Sequence, residues 1–253
     1  MILEARNISF AFQKKPILQE LSLVLEPGKL TVITGPNGSG KSTLIHLLGG
    51  AFTPQRGEIL LEGRNLETFS HVERACRLGV LTQEKLPALD FSVSERIMLG
   101  RFALLPRLSS PGERDKAAVE ESMKLLQVEH FAGTPCNQLS GGEYQKVLIA
   151  ALLARETPVM LLDEPTSALD PAGARHTLEI LTRKKASAAV AVVTHDLSLA
   201  AAFADELILV KEGRFYASGA PEKVLTQENI KAVYGCGSEI LRTPSGTTAV
   251  VFK

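Results

Sequence analysis

The chain has 253 residues, 45% hydrophobic and 22% charged, with 28 basic residues balanced by 28 acidic ones. That length suits one large domain, or a domain carrying a sub-domain, and the even charge argues against holding nucleic acid by bulk electrostatics. No apolar run approaches the ~18 residues of a membrane-spanning helix, and the first residues lack the basic flank and apolar stretch of a secretory signal.

Residues 2–12 and 17–25, split by Gln13-Lys14-Lys15-Pro16, read as an antiparallel hairpin. Leu30–Thr34 is a β-branched apolar run ahead of a glycine-rich turn. Lys41–Leu48 then shows helical spacing at Leu44, Leu47 and Leu48, closed by Gly49-Gly50. Residues 57–61, followed by Glu62-Gly63, extend the β-rich part. From about residue 87 to 158 the strand signal vanishes. Residues 113–128 predict one helix with Ala117, Val119, Met123, Leu125 and Leu126 on its apolar face. Residues 140–154 predict another, with a buried stripe at Val147, Leu148, Ala151 and Leu152. The unbroken apolar runs 159–162 and 190–193 belong in a parallel sheet covered on both faces. Short helices over 221–225 and 227–234 and a β-like segment, 248–252, close the chain. The expected organisation is an α/β core from residues 1–86 and 158–219 that includes an antiparallel β sub-domain. A helical sub-domain (87–157) is inserted into it and a tail (220–253) follows. Cys76, Cys136 and Cys236, odd in number and far apart, predict reduced, buried thiols of a cytosolic protein.

The residues Gly35-Pro36-Asn37-Gly38-Ser39-Gly40-Lys41-Ser42-Thr43 fit G-x-x-x-x-G-K-[ST] between a predicted strand and a predicted helix. Glycines let backbone N–H groups converge on phosphate oxygens, and the helix N-terminus adds a positive dipole end. Lys41 supplies a compact charge for the β- and γ-phosphates, and the Ser42 hydroxyl can reach Mg²⁺. This pattern predicts a nucleoside triphosphate site. The run 159–162 carries Asp163 to the C-terminal edge of the sheet, where it would hold the Mg²⁺ shell, and Glu164 beside it suits a general base.

Leu139-Ser140-Gly141-Gly142-Glu143 contains an S-x-x-E capping box at the start of a helix. A cap needs no glycine pair, and each glycine costs the first turn roughly 1 kcal/mol. The gain is a bare helix N-terminus that a phosphate can approach, a second phosphate-facing surface remote from the first.

In this order and spacing the motifs resemble the ATP-binding cassette (ABC) ATPases, over nearly the whole chain. The resemblance implies the family's P-loop NTPase fold, with its antiparallel β and inserted helical sub-domains, and ATP with Mg²⁺ as ligands. It implies that Phe12 stacks on adenine in place of the usual tyrosine. It assigns Gln83, in Leu81-Thr82-Gln83-Glu84, to Mg²⁺, the attacking water and the face toward a transmembrane partner. Ser167-Ala168-Leu169-Asp170 becomes the loop that crosses to the other subunit, and His195 the histidine that senses the γ-phosphate. Tyr144 and Lys146 replace the usual glutamine and arginine after the signature. Two copies then pack head to tail, each ATP lying between residues 35–43 of one copy and 140–143 of the other.

Three further stretches, 91–101, 195–205 and 222–235, are similar to ATPases of bacterial importers for ferric siderophores, haem and cobalamin. They imply a peripheral subunit on the cytoplasmic side of the inner membrane. Its partners would be separate permease subunits and, indirectly, a secreted or periplasmic binding protein, with no nucleic acid. Importers of free metal ions share parts of these stretches, and a non-transport cassette of the iron–sulfur assembly kind stays open as an alternative.

Overall fold

The computed structural model describes residues 2–82, 91–105, 109–242 and 248–253. Along the chain run β1 (Leu3–Phe12), β2 (Lys15–Leu25), β3 (Leu30–Thr34), α1 (Lys41–Leu48), β4 (Arg56–Leu61), β5 (Arg64–Asn65), α2 (His71–Arg77) and β6 (Leu78–Leu81). There follow α3 (Val93–Leu99), α4 (Glu113–Leu126), α5 (Gly141–Ala154), β7 (Val159–Asp163), α6 (Pro171–Lys184), β8 (Ala189–Val193) and α7 (Leu197–Phe203). The chain closes with β9 (Glu206–Lys211), β10 (Arg214–Gly219), α8 (Pro221–Val224), α9 (Gln227–Tyr234), β11 (Ser238–Arg242) and β12 (Thr248–Phe252).

The central sheet has the order β10-β9-β3-β8-β7-β6, parallel except for the β10 edge. Alternate residues of each strand feed opposite cores. Leu30 and Val32 pack with α5, α6 and α7, whereas Ile33 packs with α1 and the second sheet, β2-β1-β4-β5. Both faces are therefore covered, and every residue of β3, β7 and β8 is buried.

Several local expectations change. The first hairpin turns on Gln13 and Lys14 alone, with φ of +43° and +72°, the left-handed pair that a two-residue turn requires. Lys15 and Pro16 therefore lie in β2, at the edge of its sheet, where a proline is tolerated. Helix α5 has no stripe: Val147 through Ala154 are all buried, as in a helix enclosed on every side. On α4, Ala117 is exposed and Leu125 only half-buried, while Ser122 is buried with its hydroxyl donating to the Val119 carbonyl. Cys136 is buried as anticipated, but Cys76 and Cys236 are partly exposed.

Between residues 91 and 158 the described chain forms helices and a single isolated bridge, Ser92 to Pro135. Ser92 and Ser140 each open a helix with a complete capping box. Among the described residues no helix is long and apolar enough to cross a membrane.

Candidate active site

Strand β3 delivers the chain at Thr34 into the glycine-rich loop, and α1 begins at Lys41. The loop lies so close to its supports that side chains are excluded. A Cβ on Gly35 would run into the Val210 carbonyl oxygen of β9. One on Gly40, at φ +101°, would meet Leu18 Cδ2 at 2.5 Å. Ser39 holds the turn from within, its N–H donating to the Pro36 carbonyl and its own carbonyl accepting from Gly213. No side chain caps α1, so its first N–H groups are open to an anion.

Lys41 is buried, and its ammonium donates to the Gly35 and Pro36 carbonyls at 2.8 and 2.9 Å. Burial lowers its pKa, against which the Glu164 and Asp163 carboxylates act. Those acids arrive on β7. Because β8 separates β3 from β7, the two strand ends stand about 10 Å apart, two inter-strand spacings. A cavity of about 300 Å³ opens there, lined by Ile17, Asn37, Gly38, Gly40, Lys41, Ser42, Thr43, Asp163 and Glu164.

Asp163 is buried, and its Oδ1 has no hydrogen-bond partner among the described residues. An orphaned carboxyl oxygen on a cavity that the Ser42 side chain also lines fits the donor chemistry of a hard divalent cation. Glu164 takes the uncommon φ of +51°, held by its N–H donating to the Val193 carbonyl at 3.0 Å. Its Oε2 lies 2.9 Å from His195 Nδ1. The Glu164 side chain is 14% exposed and that of His195 67%. Asp196 caps α7 directly behind the histidine, accepting from the N–H groups of Ser198 and Leu199.

The remaining predicted residues lie elsewhere. Ser140 and Glu143 form their capping box, and Gly141 and Gly142 begin α5. Among the described residues none of 140–143 lines the cavity. Asp170 caps α6, its Oδ1 accepting from Gly173 at 2.6 Å. Gln145 of α5 donates to the Pro165 carbonyl at 3.1 Å, joining the signature helix to the turn after Glu164. Phe12 stands at the hairpin tip, 46% exposed, edge-on to Phe10 and Phe52. Gln83 lies outside the described residues. Ile17 escaped the motif reading, because only the hairpin's fold over the loop brings an apolar side chain there.

The family model described as "ABC transporter" matches residues 18–167, more than half of the chain. The chain belongs to the ABC transporter family. The cassette is 41% identical over 249 residues to the hemin import ATP-binding protein HmuV of Pseudomonas aeruginosa, covering 96% of each chain. It is 35% identical over 252 residues to the ferric enterobactin transport ATP-binding protein FepC of Escherichia coli K12, covering 98% of this cassette and 93% of that protein. Among solved structures it superposes on an inward-facing metal-chelate type ABC transporter with a TM-score of 0.85 at 28% identity, covering 100% of this cassette and 97% of that chain. As a member of this family the cassette binds ATP and hydrolyses it.

Proposed function

We propose that this cassette is the ATP-hydrolysing subunit of an importer for a metal chelate of the ferric siderophore, haem or cobalamin kind. It works on the cytoplasmic side of the inner membrane beneath separate permease subunits, which receive cargo from a secreted or periplasmic binding protein. The import systems named for HmuV and FepC support this reading. The observation that carries the enzymatic part is the cavity in which Lys41, Ser42, Asp163 and Glu164 converge.

In this reading the loop N–H groups, α1 and Lys41 hold the β- and γ-phosphates of ATP. Asp163 and Ser42 fit Mg²⁺, which when bound neutralises charge on the phosphates. Glu164 takes a proton from water as its oxygen forms a bond to the γ-phosphorus. The bond to the β–γ bridging oxygen breaks and ADP leaves. His195 steadies Glu164 and faces the γ-phosphate. Gln83 joins the water and the cation, and Phe12 offers a bare ring to the adenine.

Residues 140–143 stand outside their own cavity, which supports a second copy supplying them. A head-to-tail pair has ATP bridging the two chains, with Asp170 at the crossing loop. Loss of the γ-phosphate loosens the pair, and that motion is what the permease uses.

The test is co-expression with candidate permease and binding-protein subunits, followed by reconstitution into liposomes. Ferric siderophore, haem and cobalamin are each offered to the binding protein. ATP-dependent uptake of one of them supports the proposal. ATP hydrolysis that responds to no cargo, together with co-purification of soluble scaffold proteins, overturns it in favour of an assembly cassette.

A further inference from the structure

The catalytic motifs leave the C-terminal segment, α8 through β12, without a task. One polar link from this segment to the core ends at the root of the phosphate loop. The Tyr234 hydroxyl lies 3.1 Å from Thr34 Oγ1, across 200 residues of sequence. Thr34 is fully buried and is the last residue of β3 before Gly35. Its neighbour on the sheet is Leu209 of β9, and the next residue of that strand, Val210, is the one whose carbonyl abuts Gly35. Lys211 completes the tie by donating from Nζ to the Ala232 carbonyl of α9 at 2.7 Å.

The same tyrosine looks the other way into the tail. Its ring meets Phe252 of β12 with centroids 5.7 Å apart, and β12 packs on α7, the helix that follows His195 and Asp196. Tyr234 thus stands between the two flanks of the catalytic cavity, the loop root on one side and the helix behind the histidine on the other. Burial raises the pKa of the phenol, opposed by its bond to Thr34, so the hydroxyl keeps its proton.

We infer that Tyr234 is a positioning residue for ATP, its hydroxyl fixing Thr34 and through it the set of the phosphate loop. The inference rests on the nucleotide site described above and adds a part to it. Without the phenol hydroxyl, Thr34 Oγ1 loses its side-chain partner and must turn to the backbone, which frees the first peptide of the loop to shift. The contact between Glu164 and His195 does not involve the phenol hydroxyl. The consequence falls on ATP affinity and spares the chemical step.

The experiment uses the full chain and ATP with Mg²⁺, measuring Kd by calorimetry and KM and kcat by phosphate release. Tyr234→Phe keeps the ring on Phe252 and removes only the hydroxyl. Its Kd and KM for ATP should rise roughly three- to tenfold, the scale of one neutral hydrogen bond, with kcat within about twofold of the parent. Thr34→Val should reproduce the shift, Thr34→Ser should restore the parent value, and the double variant should be no worse than either single one. A Tyr234→Phe protein with lowered melting temperature but unchanged Kd and KM overturns the inference, because the bond would then be structural only. So does additivity in the double variant. Failure of the parent protein itself to bind ATP overturns the site reading instead, so the two failures are distinct.

Discussion

His195 Nδ1 and Glu164 Oε2 meet at 2.9 Å, the one at the end of β8 and the other at the end of β7. A carboxylate can only accept, so Nδ1 is the donor in this contact and Nε2 is left facing outward. The covered member is the acid and the open member is the imidazole. His195→Ala should therefore leave ATP binding nearly intact and lower kcat by about 10²-fold, the low end for a positioned acid–base group. His195→Gln should recover part of it. Phosphate-release kinetics at saturating ATP read both, and a His195→Ala enzyme of full activity removes the pair from the mechanism.

Glu164→Gln keeps the shape of the side chain and its bond to His195 while removing the basic oxygen. Turnover should fall by about 10²–10⁴-fold with ATP affinity retained. The ATP-bound pair of chains should then persist, and light scattering under saturating nucleotide should report twice the monomer mass. Substantial residual ATPase activity would discard Glu164 as the base.

The two glycines of the signature separate into different tests. A Cβ on Gly142 would lie 2.9 Å from the Ala168 carbonyl oxygen, so Gly142→Ala displaces either α5 or the turn after Glu164 within one chain. A Cβ on Gly141 meets nothing within 4 Å. Gly141→Ala should hold or raise the melting temperature by about 2–4 °C through better helix propensity. Its ATPase activity should nevertheless fall at least tenfold if a phosphate from a second copy approaches this helix end. Unchanged activity in Gly141→Ala would argue that no such phosphate comes.

Arg101 is the buried fastener of the helical region. It donates to Asp115 at 2.9 Å, to Glu156 at 2.7 Å and to the Ala154 carbonyl at 2.7 Å, tying α4 to the end of α5. Arg101→Met preserves bulk and removes all three of these bonds, which should lower the midpoint of urea unfolding. The backbone N–H of Gly112 first, and Arg101 after it, hold the Asp115 carboxyl below its ordinary 3.8. Stability from that depressed acid is complete above the ordinary value and is lost as pH falls through the lowered one. The parent protein should therefore lose stability on acidification below about pH 4 more steeply than Arg101→Met does.

Legibility in the sequence followed how local each signal is. The ends of β3, α1 and α9 are set by neighbours in the chain, namely the loop glycines, the Gly49-Gly50 stop and the αL residue Gly235, and these fell where the spacing put them. The first hairpin was misjudged because Gln13 and Lys14 adopt left-handed backbone without the glycine or asparagine that announces it. Strands β6, β9, β10 and β11 were not anticipated. Leu78–Leu81 is a strand because β7 lies beside it, and Ser238–Arg242 because β12 does. The phosphate loop and Asp163-Glu164 were legible as motifs. The one-strand gap that makes room between them, and the meeting of Thr34 with Tyr234, depend on sheet order that no local pattern carries.

The Lys41 ammonium spans two carbonyls of its own loop. Those two bonds brace the curve of the loop from within. An incoming triphosphate exchanges with those two oxygens and does not have to order a slack segment.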